Sequence, residues 1–264
     1  MWKDFWKRKW KELRDRAASR GYVCDACGAE VFEYPFRRLC DVCESEMWKN
    51  EQKICEKCGR KTVADGVCLT CKSGAPKFVK GFSPFVYKGK TAALVNRIKL
   101  GDRRLAYYFG EKMAELFFTR FEKIEEFREN GRGTRPLLIL PVPMEKEKQK
   151  ARGYNQAEDL AEIVCDRLQK AGVFAELDFD VMQKRKTSDE QKHLGFALRE
   201  KNVSGAFHVH KRSACKDRVI LLVDDIMTTG ATGNECAARL YGAGAKSVYF
   251  LTSASLEETK NTQF

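Results

Sequence analysis

The stretch that most constrains this chain is residues 218–232, Arg-Val-Ile-Leu-Leu-Val-Asp-Asp-Ile-Met-Thr-Thr-Gly-Ala-Thr. Val219 to Val223 is an unbroken apolar run. Such a run, without polar alternation, predicts a strand buried on both faces, as in parallel sheets covered by helices. Asp224 and Asp225 follow at its carboxyl end, then small hydroxyl residues and one glycine, then a helical pattern from Asn234 to Tyr241. Ligands of open parallel sheets sit outside the carboxyl ends of the strands. Free amides ahead of a helix form an anion site there, and Thr228, Thr229 and Thr232 add hydroxyl donors. The two carboxylates repel an anion, but they suit sugar hydroxyls and a hard cation such as Mg²⁺ beside it. Together the pattern predicts a ribose 5-phosphate site. The competing reading is a buried strand ended by a solvated acidic turn.

Cysteine supplies the second constraint. Of eleven cysteines, eight fall in four C-x-x-C pairs: Cys24 and Cys27, Cys40 and Cys43, Cys55 and Cys58, Cys68 and Cys71. Each pair can close a knuckle around one side of a tetrahedral zinc ion. Gly28 and Gly59 follow two of the pairs, where the knuckle needs a permissive backbone. Two structural Zn²⁺ sites are predicted. Sequential pairing (first with second, third with fourth) and cross-braced pairing (first with third, second with fourth) both remain open. The nearby aromatics Phe32, Tyr34 and Phe36 are expected to pack the module down rather than stack on bases. Cys165 and Cys236, in helical patterns, and Cys215, in a loop before a strand, read as ordinary thiols.

The 264 residues divide into a basic amphipathic helix over 1–20, a Cys-rich zinc module over 21–77 and an α/β domain over 78–264. In the first segment Trp2, Phe5, Trp6, Trp10 and Leu13 recur at helical spacing among eight Lys or Arg and three Asp or Glu. That face fits either a peripheral membrane or nucleic-acid contact, or docking on the fold itself. The Cys-rich module carries nine residues of each sign, so the net +12 resides elsewhere. A positive excess of this kind points to a polyanionic partner or a phosphate-rich substrate. No run approaches the ~18 apolar residues of a membrane span. There is no apolar secretory core after the N-terminal charges. The expected location is cytoplasmic, with no transmembrane segment.

Between these landmarks, Phe78 to Tyr87 reads as strands turning near Ser83-Pro84. Thr91 to Leu100 and Arg103 to Asn130 read as helices broken at Gly101-Asp102, with Lys88, Lys90, Arg97, Lys99, Arg103 and Arg104 concentrated there. Gly131 to Arg135 reads as a flexible link. Leu137 to Val142 is a second buried strand, followed by a charged loop from Met144 to Arg152 and a helix opened by Gly153-Tyr-Asn-Gln156 and running to Lys170. A cationic loop between a strand end and a helix start suits a diphosphate; a solvated charged loop is the alternative. Phe179 to Met182 and Gly205 to His210 read as short strands, the latter with His208 and His210 as surface residues. Lys184 to Lys201 reads as a mobile loop plus helix able to close over a ligand, and Lys246 to Ala254 as the last strand.

The string Leu222 to Thr232 resembles the phosphoribosyl-pyrophosphate (PRPP) motif of type I phosphoribosyltransferases. With the cysteine pairs, Pro141-Val-Pro143, Arg152-Gly-Tyr-Asn-Gln156, Arg185-x-Thr187-x-x-x-Gln191, Arg199-x-x-Asn202 and Gly205-Ala-Phe207, it is similar to the ComF family of competence proteins over about residues 24–255. The resemblance implies a type I phosphoribosyltransferase-like fold: a mainly parallel sheet, helices on both faces and a zinc-ribbon-like N-terminal module. It implies a role in DNA uptake during transformation, with single-stranded DNA, a competence helicase of the ComF type and other uptake proteins as partners. It implies PRPP binding by Asp224, Asp225, Met227, Thr228, Thr229, Gly230, Ala231 and Thr232, with Asp224 and Asp225 holding the ribose hydroxyls, one through Mg²⁺. Met144 and Arg152 would face the pyrophosphate, and Lys184 or Arg185 would close over it.

Two readings of function stand side by side. In one the chain is a PRPP- and Mg²⁺-dependent glycosyl-transfer protein. In the other it is a non-catalytic adaptor that keeps the fold and binds single-stranded DNA. Few residues follow the last strand, so a hood over the acceptor must come from before about residue 135; the zinc module is expected to fill that place. A separation of more than ~20 Å between module and Asp224 loop, a domain-scale distance, would exclude it.

Overall fold

The computed structural model describes residues 23–121, 135–185 and 205–258. The helix expected over 1–20, most of the link at 131–135, and the loop and helix expected beyond Arg185, with Thr187, Gln191, Arg199 and Asn202, lie outside the described residues.

Two short helices, α1 (Asp41–Ser45) and α2 (Leu69–Ser73), belong to the Cys-rich region. The α/β part follows as β1 (Lys80–Phe82), β2 (Phe85–Val86), α3 (Gly89–Lys99), α4 (Arg103–Phe121), β3 (Leu137–Pro141), α5 (Lys146–Arg152), α6 (Gln156–Lys170) and β4 (Ala175–Leu177). The chain continues as β5 (Met182–Lys184), β6 (Phe207–Val209), α7 (Arg212–Cys215), β7 (Val219–Met227), α8 (Ala231–Gly242) and β8 (Ser247–Ser255).

The main sheet has six strands in the order β1-β8-β7-β3-β4, with β2 also pairing β8, and every pairing in it is parallel. β5 and β6 form a separate antiparallel ribbon. Its apolar strands explain the layering. Along β7, Val219, Leu221 and Val223 face one core with Leu137, Ile139, Tyr249 and Leu251, covered by α3, α4 and α6. Ile220 and Leu222 face a second core with Leu138, Leu140, Val248 and Phe250, covered by α8 and the β5–β6 ribbon. Burying both faces at ~1.5–3 kcal/mol per large apolar side chain fixes β7 at the centre of the sheet.

The module's apolar residues Val31, Leu39 and Met47 join the first core, and Cys55, Cys58, Cys68 and Cys71 line the second beside Phe78. Its two knuckles are built alike. Cys24 N donates to Ala29 O at 2.7 Å and Cys55 N to Arg60 O at 2.8 Å, while Gly28 N and Gly59 N return to the oxygens of Cys24 and Cys55.

Several elements differ from the sequence expectation. The strand expected to end at Val223 continues through both aspartates to Met227, because β8 supplies partners for Asp224, Ile226 and Met227. The charged stretch expected as a loop from Met144 to Arg152 is largely helical; Lys and Glu at helical spacing pair along it, Lys148 Nζ lying 3.3 Å from Glu145 Oε1. Cys215 lies in α7 and is buried. Phe179 is exposed ahead of β5 rather than leading a strand. In place of packing, Phe32 and Phe36 are 85% and 95% exposed; only Tyr34 of the three packs against the core. Both rings stand in the turn between the first two cysteine pairs, where no described residue covers them.

Candidate functional site

The site lies at the carboxyl edge of the sheet, where β7 passes into α8. Asp224 is partly buried, and its Oδ1 accepts the amide of Asp225 at 2.9 Å. Burial, and next the charge of Asp225, raises the Asp224 carboxyl well above the usual carboxylate range, while Lys99 pulls the other way. Lys99, the last residue of α3, places its Nζ 3.5 Å from Asp225 Oδ2. Ser253 Oγ on β8 donates to the Asp225 carbonyl at 2.5 Å. The paired carboxylates are held on a strand, not on a solvated turn.

Beyond Met227 the chain makes a short loop and enters α8 through Gly230, whose φ of 90° lies in the left-handed region that favours glycine. Thr228, Thr229, Ala231 and Thr232 are partly exposed around it. Met227 is buried in the second core, pairs with Ser255 on β8, and its carbonyl accepts Leu256 N at 3.0 Å, so it supports the loop from beneath. Thr229 Oγ1 accepts the Ala231 amide at 3.2 Å. This is a helix N-terminus with partly exposed threonines shortly after an acidic pair, the arrangement that holds a phosphate beside a polyol.

The second loop lies alongside. Val142 N donates to Val223 O at 2.8 Å, which brings the end of β3 against the middle of β7, just before Asp224. Asn155 caps α6, accepting Ala157 N at 3.1 Å, and its Nδ2 reaches back to Val142 O at 3.2 Å. The Tyr154 hydroxyl donates to Ile98 O, joining this turn to the end of α3 beside Lys99. Met144 is partly buried just before α5, and Arg152 is exposed at its last residue. Lys184 ends β5 with Nζ 3.7 Å from Glu145 Oε1. Arg185 is exposed, and its amide donates to Ala206 O at 2.8 Å. Burial first, then the charges of Asp224 and Glu235, raises the buried Cys236 thiol on α8, and Lys184 opposes them.

The eight paired cysteines form two four-sulfur groups, Cys24 with Cys27, Cys40 and Cys43, and Cys55 with Cys58, Cys68 and Cys71. Pairing is therefore sequential. Within each group every sulfur lies within 4.8 Å of the others. Neighbouring sulfurs stand 3.7 Å apart (Cys27 to Cys40) and 3.6 Å apart (Cys58 to Cys68). A tetrahedron with ~2.3 Å metal–sulfur bonds has edges of ~3.8 Å, so both donor sets fit a metal ion. Cys40 N donates to Cys24 Sγ and Cys68 N to Cys55 Sγ, each at 3.3 Å, which orients the ligands.

Three residues tie the second group and its flanks to the α/β part, and Arg60 reaches the Thr228–Thr229 loop itself. Arg60, next to the knuckle glycine, donates from Nη2 to Thr228 O at 2.9 Å and Thr229 O at 3.3 Å. Glu258, just after β8, accepts the amides of Val63 at 3.3 Å and Leu69 at 2.5 Å. Asn234 Oδ1 on α8 accepts Lys77 N at 3.0 Å. The module is in contact with the loop that follows the acidic pair. Arg60, Glu258 and Lys99 are the residues sequence reasoning missed. Lys99 stood out only as one of a cluster of cations, and nothing local distinguishes Arg60 from any arginine after a knuckle. His208 on β6 and His210 just after it are exposed, with ring centroids 5.0 Å apart, and neither belongs to a metal-ligating group among the described residues.

An all-parallel main sheet, helices on both faces, an acidic pair and hydroxyl loop at its carboxyl edge, and a Cys-rich N-terminal module define a phosphoribosyltransferase-like α/β protein. Its sequence homologues are proteins named as competence proteins ComFC and F and as DNA utilization protein YhgH. The Bacillus subtilis strain 168 competence protein ComFC is 25% identical over 205 residues, 75% of each chain. The Escherichia coli K12 DNA utilization protein YhgH is 24% identical over 211 residues, 80% of this chain and 87% of its own. No protein-family model matches. Among solved structures, a Trypanosoma cruzi hypoxanthine phosphoribosyltransferase overlaps 61% of this chain and 68% of its own, with 16% identity and a TM-score of 0.34. The fold class rests on the sheet order and the site, not on that overlap. No described helix is long and apolar enough to cross a membrane.

Proposed function

We propose that this chain is a PRPP-binding protein of DNA uptake, with a type I phosphoribosyltransferase site and two structural zinc ions. The observation that carries the reading is the side-by-side placement of the Asp224–Asp225 pair and the Thr228–Thr232 loop at the mouth of α8. The loop amides and threonine hydroxyls hold the 5-phosphate. Asp224 and Asp225 hold the ribose hydroxyls; Mg²⁺, bound with the diphosphate, supplies charge neutralisation. In the free protein Lys99 neutralises Asp225, and when ribose and Mg²⁺ engage the pair its ammonium is released toward the diphosphate. Arg152, the backbone near Met144, and Lys184 with Arg185 face the leaving pyrophosphate. Glycosyl transfer needs that electrostatic support more than a nucleophile, because the sugar departs as a cation from an anionic leaving group. The domain division is 1–20, 21–77 and 78–264, with the second knuckle over the acceptor side of the site.

Binding of Mg²⁺-PRPP, measured calorimetrically on zinc-loaded protein, tests this. Heat of binding is expected for the wild type and none for Asp224→Ala/Asp225→Ala. Absence of binding by the wild type refutes the reading.

A second role is favoured by one observation, the exposed rings of Phe32 and Phe36 on the first knuckle. Aromatic faces that pack against nothing are stacking platforms for unpaired bases. In this reading single-stranded DNA meets the module while the sheet edge holds PRPP. A Phe32→Ala/Phe36→Ala variant with unchanged single-strand affinity removes its basis.

A further inference from the structure

Arg60 is 5% exposed, and its guanidinium has three partners, one in its own knuckle and two far along the chain. Nε donates to Cys58 Sγ at 3.3 Å. Nη2 donates to the carbonyls of Thr228 at 2.9 Å and Thr229 at 3.3 Å, 168 and 169 residues away. One planar fork thus touches a sulfur of the second four-cysteine group and two successive peptide units of the loop that enters α8. Only a guanidinium spans such a set; an ammonium is a single point.

The consequence lies in peptide geometry. In a trans peptide unit the C=O and N–H point in opposite directions. Drawing the Thr228 and Thr229 carbonyls toward Arg60 therefore turns the amides of Thr229 and Gly230 away from it, to the other side of the loop. A run of amides facing one way, with no carbonyl among them, is what an anion needs from a backbone nest. Without the guanidinium, either unit can rotate and present a carbonyl oxygen, which repels phosphate. The fork is held from the other end by the knuckle. Cys58 sulfur is bonded to it directly, Asn50 Nδ2 fixes the knuckle carbonyl of Gly59 at 2.8 Å, and Gly81 N fixes that of Lys57 at 2.8 Å. The first four-cysteine group has no such link among the described contacts. Its Asp25 and Ala26 carbonyls are bound by Arg97 on α3 instead.

We infer that Arg60 is a positioning residue that orients the Thr228–Gly230 peptides for phosphate and makes that loop dependent on the metal at Cys55, Cys58, Cys68 and Cys71, but not on the metal at the first group. This rests on the PRPP-site reading for the ligand, though not for the loop geometry. The test compares zinc-loaded wild type, Arg60→Gln, Arg60→Lys and Cys27→Ser by zinc stoichiometry, by hydrogen exchange of the Thr229 and Gly230 amides, and by Mg²⁺-PRPP affinity. Arg60→Gln and Arg60→Lys are expected to keep two zinc ions, to exchange those amides at least tenfold faster and to bind Mg²⁺-PRPP at least tenfold more weakly. Cys27→Ser is expected to lose one zinc ion and leave loop exchange unchanged. An Arg60 variant with wild-type loop exchange overturns the inference, whether or not it retains zinc. So does Cys27→Ser if it loosens the loop as much as Arg60→Gln does. If the wild type binds no PRPP, the functional reading fails alone, and the exchange comparison still decides the role of Arg60.

Discussion

Two glycines in equivalent positions allow the docking of the module to be measured. Gly28 and Gly59 each follow a C-x-x-C pair, with φ of 80° and 74°. Alanine at either site must adopt a left-handed backbone, which costs about 1–2 kcal/mol. At Gly28 an added Cβ meets nothing within 4 Å. At Gly59 it would lie 2.1 Å from the Gly81 carbonyl oxygen, 2.7 Å from the Gly81 carbonyl carbon and 3.0 Å from Phe82 Cα. All three atoms are backbone of β1, the edge strand paired to β8, so no side-chain rotamer relieves the overlap. Overpacking of that kind adds about 1–3 kcal/mol. The expected loss is therefore ~1–2 kcal/mol for Gly28→Ala and ~2–5 kcal/mol for Gly59→Ala, combining both terms. Urea unfolding of the two zinc-loaded variants measures the difference directly. Zinc stoichiometry measured alongside shows whether each knuckle is intact. Gly59→Ala is also expected to weaken Mg²⁺-PRPP binding, since Arg60 is the next residue, whereas Gly28→Ala is not. If the two variants lose the same stability within ~0.5 kcal/mol, the scatter of surface substitutions, the knuckle does not pack on β1 as described.

Because burial raises the Asp224 carboxyl, the folded state binds that proton more tightly than the unfolded chain does, so its contribution to stability is most favourable below about pH 4 and is lost as pH rises through the raised value. Asp224→Asn should accordingly be more stable than wild type at neutral pH, by more than the ~0.5 kcal/mol of a surface change, with the gap closing toward pH 4; a gap that is flat or reversed across that range contradicts the assignment. Burial also pushes Cys165 and Cys215 up to about 11, leaving on the order of one thiolate in a thousand at pH 8. Ellman's reagent should find no fast thiol in zinc-loaded folded protein, and a rapid phase with zinc retained would refute their burial. Single-strand DNA affinity, if carried by the net +12 charge, should fall with a log–log salt slope of about −0.7 per neutralised phosphate; salt-independent binding would exclude the basic surface as its cause.

The two strongest features were local and so were legible. A five-residue apolar run needs no partner to declare itself a buried strand, and Val219–Val223 sits at the sheet centre. Cysteine spacing fixes knuckles within a few residues of chain, and all eight paired cysteines fall in two groups. What the sequence could not determine was set by contacts between distant segments. Where β7 stops depends on how far β8 extends to pair it, so two aspartates expected past the strand lie within it. Sequential rather than cross-braced pairing depends on how the module folds back, which spacing alone permits either way. Whether an aromatic is buried depends on a surface arriving to cover it, and among the described residues none reaches Phe32 or Phe36. The partners of Asp225 and of the Thr228–Gly230 loop, Lys99 and Arg60, come from 126 and 168 residues earlier in the chain. Residue type declares a charge, but only the packed fold decides which opposite charge or carbonyl stands within reach of it.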